Sequence, residues 1–144
     1  MVEVVVSHAR RETRMSKRTV RRTVSLVLKK EKVSSGKISL VFVDDNAIKK
    51  INTKYLGHRR STDVITFPIE VLPSLEAEIY INVRQARRQA RQYRVSIANE
   101  VTRLIIHGVL HAVGYDDRRT KQRKEMFTLQ ERYVGLCFVN RRAI

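Results

Sequence analysis

Apolar positions change their period along the chain, and each change marks an element. Val2 to Val6 is a short apolar run, the pattern of a buried strand. Between Arg10 and Lys32 the apolar residues Val20, Val24, Val27 and Leu28 recur at helical spacing, which predicts a helix over that span. Ser34-Ser35-Gly36 interrupts the pattern, and the β-branched and apolar stretch Ile38 to Val43 predicts a second strand. Asp44, Asp45 and Asn46 are helix-capping residue types; Ala47, Ile48, Ile51 and Tyr55 follow at helical spacing until Gly57. Thr62 to Phe67 predicts a third strand closed by Pro68, and Glu78 to Ile81 alternates as a fourth. Helices are then expected over Val83 to Tyr93, from the capping residue Ser96 to Gly114, and from about Arg118 to Gly135. In the last of these Met126, Leu129, Tyr133 and Val134 are placed inward.

No linker, repeat or low-complexity stretch divides the 144 residues, so 1–144 is expected to form a single domain. Strands and helices mix, with one hairpin between the third and fourth strands. The expected class is α+β: a four-stranded mixed sheet with helices packed on it. The helix through Leu104 to Val113 has the most continuous apolar flanks, and it is expected at the centre.

That helix also carries the chain's most concentrated chemistry. His107 and His111, two of four histidines, lie four residues apart. On a helix such residues stack on one face with Cβ atoms about 5–6 Å apart, so two imidazoles can close on one metal ion. Gly114 stands where the helix must stop, and Tyr115-Asp116-Asp117 follows. A carboxylate from that turn, Asp116 or Asp117, can fold back as a third ligand. Three protein ligands with an open fourth position is the catalytic zinc arrangement. The competing reading is a pair of hydrogen-bonded core histidines. A zinc protease helix reads H-E-x-x-H with glutamate as general base; here the residue after the first histidine is Gly108, which accepts no proton. A base must lie elsewhere, or a metal acts largely unaided.

Composition narrows the partners. Net charge is +16, which concentrates polyanions, and nucleic acid is the commonest of these in cytoplasm. An anionic membrane ranks lower, because no segment joins a basic face to an aromatic-rich apolar one. No apolar run approaches the ~20 residues of a membrane span, and the N-terminus lacks a signal-peptide pattern. A single cysteine, Cys137, between Leu136 and Phe138, reads as packed core and suits a reducing cytoplasm. The segment from Val83 to Tyr93 contains Arg84, Arg87, Arg88 and Arg91 and no acid, while Arg59 and Arg60 sit in a basic loop. These six are the candidate nucleic-acid contacts. A basic face can equally be solvated surface without a specific partner.

The residues from about Ile38 to Tyr133 resemble the YbeY family of single-strand-specific endoribonucleases. The family signature H-G-x-L-H-x-x-G-Y-D-H is similar to His107-Gly108-Val109-Leu110-His111-Ala112-Val113-Gly114-Tyr115-Asp116-Asp117. A second family piece, L-N-x-x-Y-R followed by T-D-V-L-S-F-P, is similar to Ile51 to Leu56 and Thr62 to Pro68. The resemblance implies one zinc ion held by the two histidines and a third ligand ten residues after the first, here Asp117. It also implies a groove for single-stranded RNA beside the metal, a substrate among ribosomal RNA precursors, association with the ribosome or its proteins, and a role in ribosome quality control. Three departures bear on this. Asp117 replaces histidine, which adds negative charge at the metal. Leu56 replaces an arginine, and leucine cannot grip phosphate; Arg59 or Arg60 is expected to substitute. Glu76-Ala77-Glu78-Ile79 replaces L-G-D-I, removing a glycine at the strand entry. His58 is a weak candidate for a base, and His8 carries no assignment. Two other classes compete: an RNA- or ribosome-binding protein that has lost chemistry, and a metallohydrolase acting on another substrate such as a peptide.

Overall fold

Alternation along the strands decides which way the sheet faces. The computed structural model describes residues 2–7, 11–57, 61–70 and 74–142. Its strands are β1 (Val2–Ser7), β2 (Gly36–Val43), β3 (Val64–Glu70) and β4 (Leu75–Asn82); its helices are α1 (Lys17–Lys30), α2 (Asp45–Leu56), α3 (Val83–Tyr93), α4 (Ile97–Val113) and α5 (Thr120–Arg142). The sheet order is β1-β2-β4-β3. β1 and β4 run parallel to β2, and β3 closes the edge as the antiparallel half of a hairpin with β4. The mixed sheet and the hairpin are those expected from the pattern.

Ile38, Leu40 and Phe42 of β2 and Ala77, Ile79 and Ile81 of β4 point to one face and join a core with α1 and α4. Val43 and Ile65, with Val41, Phe67 and Tyr80, point to the other face and meet Ile48, Ala47 and Ile51 of α2. α4 lies at the centre of the larger core, touching α1, α3, α5, β3 and β4. Val101, Leu104, Ile105, Ile106, Val109 and Leu110 are all buried there, each contributing about 1.5–3 kcal/mol on an area basis. Cys137 is packed in the same core, as its apolar neighbours suggested. Among the described residues no helix is long and apolar enough to cross a membrane.

Several boundaries differ from the sequence expectation, each for a physical reason. α1 begins at Lys17 and not at Arg10, because Ser16 caps it by accepting from the Thr19 N–H, and Arg14 just before takes a left-handed φ of 57°. β2 and β4 extend to Gly36 and Leu75, where the chains pair so closely that a side chain on Gly36 would collide with the Leu75 carbonyl. Pro68 lies inside β3 and does not close it. β3 is an edge strand bonded only to β4, so a missing N–H is tolerated there. α5 runs past Gly135 to Arg142, since Tyr133, Val134 and Cys137 continue its buried stripe across the glycine. Ala77, where the glycine is lost, sits mid-strand opposite Ile38 and Pro68 and needs no unusual backbone.

Gly108 is the point where α4 presses on the sheet. A Cβ there would stand 2.7 Å from Ile79 Cγ2 and 3.3 Å from both Thr66 Oγ1 and Val64 Cγ2. Thr66 Oγ1 donates to the Gly108 carbonyl at 3.1 Å. The position faces strands and not solvent, which explains the absence of a catalytic glutamate there. Replacing a solvent-facing helical glycine with alanine usually stabilises by about 1 kcal/mol. Gly108→Ala is expected to do the opposite and cost about 1–3 kcal/mol by overpacking, measured by urea unfolding. A gain in stability would show that α4 is free to lift.

Candidate metal centre

The last turn of α4 and the reversal after it assemble three donors. Ser96 starts the helix by accepting from the Asn99 N–H, and Gly114 ends it with φ 119°. The Gly114 N–H bonds back to the carbonyls of Leu110 and His111, and the Tyr115 N–H to that of Leu110. This reversal returns the chain over the histidine face. Asp117 then turns inward and Asp116 outward. Asp116 is gripped by the Arg118 guanidinium at 2.7 to 3.1 Å and by the Arg118 backbone N–H at 3.0 Å. Arg118 holds its carboxyl down to about 2. The structure therefore selects Asp117 from the adjacent pair.

His107 Nε2 and His111 Nε2 lie 3.1 Å apart, and Asp117 Oδ2 is 3.5 and 3.3 Å from them. These three atoms form a group able to hold a metal ion. A tetrahedron with metal–ligand bonds of about 2.0–2.1 Å has edges of about 3.3 Å, so the donors already stand at ligand spacing.

The other ring nitrogens are held by oxygens. His107 Nδ1 faces Gln130 Oε1 at 2.7 Å, and His111 Nδ1 faces the Tyr115 carbonyl at 3.0 Å. Both partners are oxygens that accept, so each Nδ1 donates its hydrogen there. Each Nε2 is thereby turned toward the Asp117 carboxylate, where a ligand to a metal ion would stand. Gln130 is oriented in turn: its Nε2 donates to Glu131 at 3.1 Å. Glu131 is held by Arg103 at 2.8 and 3.0 Å, and Arg103 by buried Glu100 at 2.8 Å. Arg103 lowers the Glu131 carboxyl against the desolvation that opposes it. On the opposite side Glu31, at the end of α1, accepts from Tyr115 Oη at 2.7 Å and from Tyr133 Oη. The turn carrying the third donor is thereby tied to two helices.

Cavities open on both sides of the donors. One, of about 470 Å³, is lined by His107, Asp63, Tyr93, Phe127 and the Glu100–Arg103–Glu131 chain. The other, of about 640 Å³, is lined by His111, Asn52, Leu56, Ser61 and Thr66. Leu56, at the position of the expected arginine, opens directly on this second groove and is 46% exposed.

The sequence-derived basic residues fall elsewhere. Arg84, Arg87, Arg88 and Arg91 line a separate open cavity of about 580 Å³ where α3 meets the start of α4, not the donor cluster. Arg88 is committed to Asp45, bonding its two oxygens at 2.6 and 3.1 Å, and this pair drives the Asp45 carboxyl well below the usual range. Arg59, Arg60, His58 and His8 lie outside the described residues. Sequence reading missed Gln130, Glu131, Arg103 and Glu100. Glu100, Arg103 and His107 did leave a signal, spaced three and four apart along a largely apolar helix; Gln130, 23 residues from His107, left none.

The chain is similar to known proteins over most of its length. Residues 4–136 match the family model described as Endoribonuclease YbeY. A curated protein named Endoribonuclease YbeY from Chloroherpeton thalassium is 38% identical over 119 residues, covering 83% of this chain and 84% of that protein. One of the same name from Persephonella marina is 31% identical over 137 residues, covering 91% and 90%. A solution structure of a Thermotoga maritima protein superposes with a TM-score of 0.70 at 27% identity, covering 99% of this chain and 93% of that one.

If Gln130 aims His107, Gln130→Ala should weaken metal binding by about 10–100-fold while the fold persists. Titration calorimetry with Zn²⁺ measures this. An unchanged affinity would mean that His107 needs no such partner.

Proposed function

The chain belongs to the YbeY family of endoribonucleases, and from that premise we propose that it is a zinc-dependent, single-strand-specific endoribonuclease. The observation that carries the reading is the convergence of His107 Nε2, His111 Nε2 and Asp117 Oδ2 between two open cavities. The whole of 1–144 acts as one such domain, working in the cytoplasm on ribosomal RNA precursors and in ribosome quality control, in contact with the ribosome.

His107, His111 and Asp117 would hold a divalent ion, which would supply Lewis acidity and lower the pKa of water there. The chain supplies the rest. His107 lines one cavity and His111 the other, so a strand passing between the cavities crosses the donor cluster. Gln130 and Tyr115 hold the two imidazoles with Nε2 turned toward the substrate side, which spares reorganisation when RNA arrives. Gly108 offers no general base at the position after His107. Asp63, half-buried, lines the cavity beside His107. Arg84, Arg87 and Arg91 offer exposed guanidinium groups along α3, where phosphates of a bound strand are drawn by the excess positive charge. Two imidazole nitrogens and one carboxylate are a donor set that catalytic zinc accepts.

One observation favours a second reading, an RNA-binding protein without chemistry: Leu56 presents no guanidinium to the groove. Incubating the zinc-loaded protein with end-labelled single-stranded and duplex RNA separates the two. The nuclease reading predicts cleavage of the single strand only, falling at least about a hundredfold in Asp117→Ala. RNA binding that weakens steeply with salt, without cleavage by the wild type, would favour the binding protein.

A further inference from the structure

The cavity beside His107 is unlike the rest of this cationic surface. Its lining carries three carboxylates, Asp63, Glu100 and Glu131, and one guanidinium, Arg103. Arg103 is already consumed: its nitrogens bond Glu131 at 2.8 and 3.0 Å and Glu100 at 2.8 Å. The excess is anionic, so a phosphate is repelled from this cavity even though the protein attracts phosphates elsewhere. Two large rings stand at its rim, Tyr93 at 57% and Phe127 at 60% exposure. Exposed rings beside a polar cavity of about 470 Å³ suit a flat aromatic group with hydrogen-bond donors on its edge.

Resting on the nuclease reading above, we propose that this cavity takes one unpaired nucleobase of the RNA strand next to the scissile phosphate, and that guanine fits it best. Tyr93 and Phe127 supply the stacking surfaces, as aromatic side chains do for single-stranded RNA. Asp63 reads the base edge. Its backbone carbonyl is taken by the Asn82 N–H at 2.8 Å, which anchors the residue at the start of β3. Its carboxylate has no side-chain partner among the described residues. Guanine presents two adjacent N–H donors, N1–H and the N2 amino group, matching the two oxygens of one carboxylate. Adenine and cytosine present one amino donor beside an acceptor, which a carboxylate repels. Uracil presents a single N–H between two carbonyls and fits worst. The same base seated beside His107 sets which phosphodiester lies over the three donors, so the cavity governs the position of cleavage.

The test uses zinc-loaded protein and fluorescein-labelled decamers: oligouridine, and oligouridine with one internal G, A or C. Fluorescence polarisation at low temperature reads binding, and sequencing of the ends reads cleavage. A single G should tighten binding about tenfold over oligouridine and place cuts at a fixed offset from it. Asp63→Asn should collapse the ratio between the G-containing and uridine decamers. A purely electrostatic role for Asp63 would raise all four affinities together and leave that ratio intact. Phe127→Ala, at an exposed helical position, should weaken the G-containing decamer most. Equal binding of all four decamers, or an Asp63→Asn ratio equal to that of the wild type, would overturn the proposal. Cleavage without any base preference refutes the pocket and leaves the nuclease standing. G-selective binding without cleavage refutes the nuclease and leaves the pocket standing.

Discussion

The close approach of α4 to the β3–β4 hairpin at Gly108 is the constraint on which the site depends. With no side chain between them, the helix backbone sits on Ile79 and Val64, and Thr66 bonds the Gly108 carbonyl. That contact fixes the depth and rotation of α4, and hence where His107 and His111, on either side of Gly108, emerge. A helix held one side chain further out would move both imidazoles away from the turn that brings Asp117. The apolar face and the donor face of α4 are two sides of one packing solution.

Around the donors the structure spends polar groups on orientation. Gln130 and the Tyr115 carbonyl each take one Nδ1 hydrogen, and Glu31 and Glu131 hold those partners from opposite directions. The charge pattern follows the same division. Lysines and arginines dominate the surface, yet the neighbourhood of His107 is acidic. A polyanion is drawn to the molecule as a whole, while the immediate site favours a cation and neutral, donor-bearing groups. That contrast separates attraction of a strand from reading of its bases.

Much of this was legible in the chain. The period of 3.6 through Leu104 to Val113, bracketed by Ser96 and Gly114, marks α4 and its ends, because capping chemistry is local. The His107–His111 pair follows from helical spacing alone. The choice between Asp116 and Asp117 does not, since both lie in one turn and only the folded Arg118 contact turns one of them out. Pro68 reads as a strand end unless the sheet order is known, because being an edge strand is a property of the sheet and not of the segment. The start of α1 depends on backbone conformation that residue type does not reveal. The polar run before Ser16 looks helical, but Thr13 bonds the Met15 N–H and Arg14 turns left-handed. Gln130 is invisible in the sequence, reaching His107 from a different helix, and so is the acidic cavity, built from the residue before β3 and from α3, α4 and α5.

The central claim is that three converging donors form one metal site. Elemental mass spectrometry of the purified protein, wild type beside Asp117→Ala, tests it most directly. The account predicts close to one zinc per chain in the wild type and marked loss in the variant. A wild type that stays free of metal after zinc is supplied, or a variant that retains its full complement, would contradict it.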